Sequence, residues 1–282
     1  MEIRPGVHFL SIKTETLPPH RATNSYALVQ DGTALVIDMI SPDTEDTPKL
    51  LKEAGVKTIG FAAISHSHHD HHLGVEGLLE QFGGQIICHP GTRERLKDVY
   101  PLSLFGLDLE GGEVLKLGGF SIRVIHTPGH SSDSTCFYLE EEKLLFSGDT
   151  ILGWGTSIIL PAPEGDMAAY MDSLRELAKL DIDAICPAHG PLIEEKTGEK
   201  IAWYIEHRIM RENLILEALK SGVKTPYEIA EAIYTEEDFK MHGRDLLPRA
   251  ARSVLAHLEK LEKEGRVKPE DTSENSRWGL SG

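Results

Sequence analysis

Cysteine is scarce in this sequence, which has three cysteines among 282 residues, and none stands at a spacing typical of a metal site. The small, odd number argues against a cysteine-based metal centre and indicates a reducing compartment. No apolar run approaches the roughly 20 residues that span a bilayer. The opening residues, Met-Glu-Ile-Arg-Pro, show neither a signal-peptide core nor an Arg-rich transit character. We therefore expect a cytoplasmic protein without a membrane segment.

Positive charge is also in short supply. The chain has 29 Lys and Arg against 45 Asp and Glu, a formal net charge of −16. Residues 201–282 carry 13 basic and 15 acidic residues, a net charge of −2, which leaves −14 on residues 1–200. An acidic body of this size repels polyanions, although bound divalent cations would offset several charges locally. The composition therefore disfavours nucleic acid as a partner.

Histidine is abundant in one segment, His-Ser-His-His-Asp-His-His at residues 66–72. The segment follows the apolar run 59–64 and precedes a helical pattern, so it lies at a strand-to-helix junction. Extended backbone would direct His66 and His68 to one side, and the next Asp-His pair can turn toward a second point nearby. Imidazole and carboxylate are the ligands expected for zinc and related ions. The alternatives are a solvated loop rich in histidine and an adventitious surface chelate.

Three later segments repeat the same arrangement, in which a short apolar strand delivers one His or Asp to a loop beside Gly or Pro. The strands are predicted at 122–125, 144–146 and 182–186, and the loops that follow them carry His130, Asp149 and His189. Such loops are how an α/β scaffold presents ligands along one edge. The repetition favours a metal centre over a random scatter of histidines.

These residues resemble, in order and context, the ligands of the metallo-β-lactamase superfamily of hydrolases. The matching positions are His66, His68, Asp70, His71, His130, Asp149 and His189. The resemblance covers the first two thirds of the chain and implies an α/β fold, an αββα sandwich, with two divalent metal ions. The family usually binds zinc, but His/Asp sites also accept iron and manganese.

The resemblance also implies a division of the ligands between the two ions. His66, His68 and His130 would hold the first ion, and Asp70, His71 and His189 the second, with Asp149 bridging. His69 and His72 match no ligand position, and we interpret them as supporting or exposed residues. Asp38, at the end of a predicted strand, either orients a metal ligand or is an ordinary turn residue.

The C-terminal part has a different character. Helices are predicted at 201–219, 227–234 and 248–264, followed by two short strands at 266–268 and 277–280, and this order resembles a winged-helix module. We therefore divide the chain into a catalytic domain, 1–197, and a winged-helix-like domain, 198–282. The third of these helices presents basic and acidic residues together, so it lacks the basic stripe of a DNA-binding helix.

In the first part of the chain, the glycine-rich stretch 101–119 is expected to form a hairpin.

This combination is similar to the β-lactamase-like protein 2 family and to hydroxyacylglutathione hydrolase-like proteins. The shared features are Ile-Leu-Gly-x-Gly-Thr after the bridging Asp and the His207-Arg208 pair followed by Arg-Glu. Three residues depart from the family pattern. Trp154 departs within that loop, His72 follows the ligand motif, and Ser65 stands before His66 where the family has Thr. We predict that Trp154, His207 and Arg208 contact the substrate.

Two metal ions imply hydrolysis by a bridging hydroxide, with Asp70 both a ligand and the catalytic proton acceptor. The resemblance admits ester and thioester substrates, including small molecules and acyl carriers, and also single-stranded RNA. The acidic charge favours the acyl substrate, whereas the domain arrangement favours an endoribonuclease. A non-enzymatic winged-helix interaction protein is a third hypothesis. The sequence does not indicate an oligomeric state.

Overall fold

The computed structural model describes residues 1–16, 20–41, 46–222, 224–235, 247–273 and 276–281. The chain packs into two compact units. The first comprises Met1–Thr127, Asp133–Thr156 and Asp181–Thr197, and the second comprises Pro128–Ser132, Ser157–Leu180 and Gly198–Gly282. The sequence-based division into domains 1–197 and 198–282 stays a prediction.

The first unit begins with a seven-stranded mixed sheet in which the strands lie in chain order. Strands β1 to β4 pair antiparallel, and β4 to β7 pair parallel. The strands are β1 Glu2–Arg4, β2 Val7–Lys13, β3 Ala22–Gln30, β4 Thr33–Ile37, β5 Thr58–Ile64, β6 Gln85–Cys88 and β7 Phe105–Asp108. The parallel part requires crossover helices, which are α1 Thr47–Glu53, α2 Val75–Phe82 and α3 Pro90–Leu96.

A second sheet of five strands completes the first unit, in the order β12-β11-β10-β9-β8. Its strands are β8 Val114–Leu117, β9 Phe120–His126, β10 Thr135–Leu139, β11 Leu144–Gly148 and β12 Ala184–Pro187. Only the β11–β12 pair is parallel. The predicted hairpin over 101–119 is wrong, because β7 joins β6 in the first sheet whereas β8 begins the second.

The two sheets face each other across a buried apolar core. Side chains from both sheets meet there: Leu35 and Ile37 of the first sheet belong to one buried cluster with Val124 and Phe137 of the second. The opposite face of the first sheet packs on another cluster, to which α1 and α2 contribute. The first sheet is thus apolar on both faces, as parallel strands covered on both sides must be.

In its described residues, the second unit contains four helices and a small hairpin. The helices are α4 Met167–Leu177, α5 Thr197–Lys220, α6 Pro226–Ile233 and α7 Leu247–Lys263, and the hairpin is β13 Val267–Pro269 with β14 Trp278–Leu280. Thr225 caps α6 through a capping box with Glu228. The three predicted C-terminal helices and the predicted wing are thereby confirmed as elements.

The remaining differences from the sequence analysis concern element ends. The sequence predicts a helix over 43–54, and its start at Asp43 lies outside the described residues. The sequence also predicts a helix over 167–180, but α4 ends three residues earlier, at Leu177. A 3-10 turn at His69–His71 precedes α2. Among the described residues, no helix is long and apolar enough to cross a membrane.

Candidate metal centre

The histidine-rich turn starts where β5 ends at Ile64. Ser65 and His66 are both buried, and a 3-10 turn then carries Asp70 and His71 toward α2. The end of β11 comes close to this turn: Gly148 has φ +49°, and a Cβ on it would lie 2.9 Å from the Ser65 side chain. Only glycine adopts this backbone without strain and leaves room for Ser65. The next residue is Asp149, so the close approach delivers its carboxylate to the turn.

The structure brings the seven predicted ligands into two groups that could hold divalent metal ions. Within each group, one ligand atom per residue lies within 4.8 Å of all the others. The first group is His66, His68, His130 and Asp149, and the second is Asp70, His71 and His189. The first group joins Asp149, predicted to bridge the ions, to the three histidines predicted for the first ion, and the second group contains the three residues predicted for the second ion. Their role as ligands stays a prediction.

Each of four histidines is oriented by a contact of its Nδ1 atom, which leaves Nε2 on the other side of the ring. These contacts join His66 to Ser65 Oγ (3.0 Å), His71 to Asp38 Oδ2 (3.0 Å), His130 to the Ile158 carbonyl (2.9 Å) and His189 to the Ala22 carbonyl (2.9 Å). His66 Nε2 in turn lies 2.8 Å from His68 Nδ1. Metal-binding histidines characteristically have such outer partners, because the partner fixes the tautomer and the ring direction.

The distances among the second-group residues, and from their histidines to Asp149 of the first group, fit a cation. His71 Nε2 is buried and makes no hydrogen bond, and it lies 3.8 Å from Asp70 Oδ1 and 3.6 Å from Asp149 Oδ1. His189 Nε2 lies 3.4 Å from Asp70 Oδ2 and 3.3 Å from Asp149 Oδ1. An ion about 2.0–2.1 Å from each ligand in tetrahedral geometry separates the ligand atoms by about 3.3–3.4 Å. The residues therefore fit a divalent metal ion.

The electrostatics of the second group favour a positive charge at its centre. Burial lowers the pKa of His71, but the Asp38 and Asp149 carboxylates outweigh burial and raise it well above 6.5. Burial raises the pKa of Asp70, but attraction to His71 and the hydrogen bond with His189 lower it below 3.8. Asp70 is therefore ionised at neutral pH. Several buried carboxylates around one point are stabilised by protonated histidines or by a bound cation.

Asp38 supports the second group through contacts with Ser65 and His71. Its Oδ1 accepts a hydrogen bond from the Ser65 backbone N–H at 2.8 Å, and its Oδ2 lies 2.9 Å from Ser65 Oγ and 3.0 Å from His71 Nδ1. Asp38 also has φ +52°, as a turn residue can. Asp38 is thus both a turn residue and a residue that contacts a predicted metal ligand, the two interpretations that the sequence left open. Ser65 also contacts His66 and so helps to position the histidines.

The two histidines outside the ligand pattern differ in their surroundings. His72 is buried, its Nδ1 lies 2.9 Å from the Tyr100 hydroxyl, and burial lowers its pKa to about 4. His69 is exposed at the surface of the 3-10 turn. His72 therefore supports the turn as a neutral ring, whereas His69 faces solvent.

Trp154 is the predicted substrate contact in the first unit, and its side chain is 55% exposed. The indole lies roughly parallel to the ring of His20, which is 5.4 Å from the ring of His189. The Gly153 N–H donates to the His189 carbonyl at 2.8 Å, and a Cβ on Gly153 would lie only 2.4 Å from the Pro191 carbonyl oxygen. The tryptophan is therefore held on fixed backbone beside a predicted metal ligand.

The other two predicted substrate contacts, His207 and Arg208, are on α5 in the second unit. His207 stacks on Trp203 with ring centroids 5.4 Å apart. Arg208 is 3% exposed, donates to the Ser157 carbonyl and lies over the ring of Tyr170. Their contact with substrate stays a prediction.

Sequence reasoning missed two residues near the site. His20 follows two prolines in a segment with no periodic pattern, and Asp133 stands in a serine-rich loop that looks like an ordinary turn. Asp133 is fully buried and contacts the backbone of the histidine-rich turn. An Asp three residues after a ligand histidine carries no signal of its own, because such contacts depend on the tertiary structure.

Comparison with known proteins agrees with this geometry. Residues 18–189 match the family model of the metallo-beta-lactamase superfamily, and residues 225–278 match that of the beta-lactamase associated winged helix domain. Beta-lactamase-like protein 2 homologs are similar in sequence. The Drosophila melanogaster protein is 33% identical over 88% of this chain and 85% of its own length, and the Caenorhabditis elegans protein is 31% identical over 88% and 81%.

Solved structures show the same fold over nearly the whole chain. A metallo-beta-lactamase family protein from Thermus thermophilus has a TM-score of 0.77 at 23% identity, covering 99% of this chain and 100% of that one. A beta-lactamase domain protein from Burkholderia ambifaria has a TM-score of 0.79 at 20% identity, covering 99% and 93%. The predicted fold class, an αββα sandwich followed by a winged-helix domain, is confirmed. The chain therefore belongs to the metallo-beta-lactamase superfamily and is a metal-dependent hydrolase.

Proposed function

We propose that the protein is a dinuclear hydrolase in which the two ligand groups each hold a divalent ion, zinc in the first instance. The observation that carries the proposal is the buried Nε2 of His71, which makes no hydrogen bond and faces the Asp70 and Asp149 carboxylates. Seven residues, divided into these two groups, would hold the ions, and bound divalent ions would supply a hydroxide at neutral pH and stabilise negative charge on the attacked oxygen.

Asp70 is the proposed catalytic side chain. Its side chain is 18% exposed, so one carboxylate can face both the second ligand group and an incoming substrate. Its lowered pKa keeps the carboxylate ionised at neutral pH, which is the form that can accept a proton when water attacks, although a lowered pKa also makes it a weaker base. Among the described residues we assign no separate general acid, which suits a leaving group that departs without protonation.

The proposed substrate is an ester or a thioester, free or on an acyl carrier. A thiolate is a good leaving group that needs no proton, and an uncharged acyl chain is compatible with the net charge of −14 on residues 1–200. Trp154 offers an exposed apolar surface near His189 against which an acyl group would pack. His207 and Arg208 complete the proposed set of substrate contacts.

A single-strand endoribonuclease is the second candidate. It is favoured by the winged-helix match over residues 225–278, since winged helices often contact nucleic acid, and the same ions would serve phosphodiester hydrolysis. The described part of α7 opposes it, because Lys260 is paired with Glu212 and Glu264 and is not displayed as a basic surface. A purely non-enzymatic role is not supported, because the chain belongs to a hydrolase superfamily.

The test is a side-by-side assay of the zinc-loaded protein on a thioester panel and on single-stranded RNA. We expect thioester hydrolysis that Asp149→Asn abolishes while the circular dichroism spectrum is unchanged. The control is Asp172→Asn, the same change at a side chain that is 74% exposed on α4, and it should retain full turnover. Brisk RNA cleavage without thioester hydrolysis would replace the acyl proposal with the nuclease, and unchanged turnover of Asp149→Asn would contradict the bridging role.

A further inference from the structure

Asp133 is a buried carboxylate that the proposed chemistry does not use. It is 0% exposed and stands in the loop that leads to β10. A buried charge is costly unless it is paired and hydrogen-bonded, so a fold that keeps one supplies partners for it. Asp133 has partners in two other segments of the first unit, the histidine-rich turn and α3.

One carboxylate oxygen of Asp133 holds the turn itself. Oδ2 accepts a hydrogen bond from the backbone N–H of Ser67 at 3.0 Å and another from the Thr92 hydroxyl at 2.7 Å. Ser67 stands between His66 and His68, two predicted ligands of the first ion. The bonded N–H belongs to the peptide that joins His66 to Ser67, so the bond restrains the backbone between the two residues from which the imidazoles project.

The other carboxylate oxygen connects the turn to α3. Asp133 Oδ1 lies 2.6 Å from the guanidinium of Arg95, whose same nitrogen also donates to Ser67 Oγ at 3.2 Å. Charge-assisted hydrogen bonds of this kind are shorter and stronger than neutral ones. Ser67 is therefore held both at its backbone N–H and at its hydroxyl.

A neighbouring backbone bond makes the arrangement rigid. The Thr135 N–H at the start of β10 donates to the Ser65 carbonyl at 2.8 Å. The loop containing Asp133 is thus attached to the turn at two successive points, before His66 and before His68. Neither attachment touches a metal position directly.

We propose that Asp133 is a positioning residue that sets the geometry of the first metal group by clamping the peptide between His66 and His68. Asparagine cannot replace it, because Asn offers one acceptor oxygen and an NH2 group. The NH2 group would then face either the Ser67 N–H and the Thr92 hydroxyl or the Arg95 guanidinium. Removing outer contacts of metal ligands typically weakens metal binding by about 10- to 100-fold, and we expect Asp133→Asn to fall in that range.

The experiment titrates metal-free protein with Zn²⁺ against a colorimetric chelator and records the visible spectrum after loading with Co²⁺. Asp133→Asn should weaken Zn²⁺ binding by about 10-fold or more and change the Co²⁺ absorption, which reports ligand geometry. The control is Glu212→Gln, a change at another buried carboxylate, 5% exposed and 3.0 Å from Lys260 Nζ in the second unit. It should destabilise the metal-free protein without changing Zn²⁺ affinity or the Co²⁺ spectrum.

The outcomes separate this inference from the proposed function on which it rests. If the parent protein binds no Zn²⁺, the metal centre itself is wrong. If the parent binds Zn²⁺ and Asp133→Asn binds it equally well with the same Co²⁺ spectrum, only the role of Asp133 is overturned. An equal loss of Zn²⁺ affinity in Glu212→Gln also overturns the role of Asp133, because the loss of any buried carboxylate would then weaken metal binding.

A second variant covers the case in which Asp133→Asn does not fold. Arg95→Gln changes a side chain that is 38% exposed and removes only the charge on the Oδ1 side of the clamp. We expect it to fold and to bind Zn²⁺ several-fold more weakly than the parent. Parental affinity in a folded Arg95→Gln protein, with no folded Asp133→Asn protein, would refute the clamp.

Discussion

Replacing Asp38 by Asn should weaken metal binding although Asp38 is not itself a predicted ligand. The carboxylate is 1% exposed and accepts three contacts, from the Ser65 N–H at 2.8 Å, from Ser65 Oγ at 2.9 Å and from His71 Nδ1 at 3.0 Å. The last contact keeps the proton of His71 on Nδ1. Nε2 then carries the lone pair that a metal ion requires.

The amide of Asn cannot reproduce all three contacts. If its oxygen accepts from the Ser65 N–H, its NH2 group points at Nδ1 of His71 and drives the ring proton to Nε2, the wrong tautomer for binding. If the amide is turned, the Ser65 N–H is left buried without an acceptor, which costs about 1–3 kcal/mol. Loss of such an outer partner lowers metal affinity about 10- to 100-fold, which corresponds to about 1.4–2.7 kcal/mol.

The assay is chelator-competition titration of the metal-free protein with Zn²⁺, and Asp31→Asn is the matched control. Asp31 has the same φ of +52° but is exposed, so the control repeats the backbone conformation and the chemical change away from the metal groups. Asp31→Asn should bind Zn²⁺ as the parent does. Parental affinity in Asp38→Asn would refute the argument that Asp38 selects the tautomer of His71.

Three further predictions follow from other parts of the molecule. Trp154→Ala should raise KM about 2- to 10-fold with little change in kcat. The control Leu107→Ala, at a similarly exposed side chain (53%), should change neither constant. A KM of Trp154→Ala equal to that of the parent would remove Trp154 from the substrate site. The three cysteines should not react with a thiol reagent at about pH 8 until the protein is denatured. All three are buried, and burial raises the pKa of Cys88 to about 12. Rapid labelling of the native protein would contradict this prediction. Burial raises the pKa of Glu212, but its hydrogen bonds with His257 and Lys260 and the charge of Lys260 lower the pKa overall below 4.5. Ionised Glu212 therefore stabilises the fold above that pH and loses the effect as the pH falls below it. The Tm deficit of Glu212→Gln should shrink in acid, and a deficit independent of pH would exclude the ionic contribution.

Much of the fold was predictable because its parallel strands are short apolar runs that end at polar loops. The strands that precede Asp149 and His189 were located to within two residues. The ligand order carried the family assignment, because seven residues in fixed contexts rarely recur by chance. A short apolar run is therefore enough to locate a strand that leads directly to a ligand residue.

Contacts between distant segments were not predictable. The strand pattern around Phe105 does not show which sheet it joins, because either edge would cover the same few apolar residues, and the expected hairpin was wrong for that reason. Asp133 and His20 likewise depend on segments that approach only in the folded chain. A single sequence without periodicity at these positions gives no signal of them.

The central claim is that the two ligand groups hold two divalent ions. Elemental analysis of protein expressed with ample zinc and freed of loosely bound metal tests it most directly. The account predicts about two zinc ions per chain, falling to about one in Asp70→Asn, which removes a ligand of the second group alone. Metal-free protein after such expression, with the fold intact, would contradict the account.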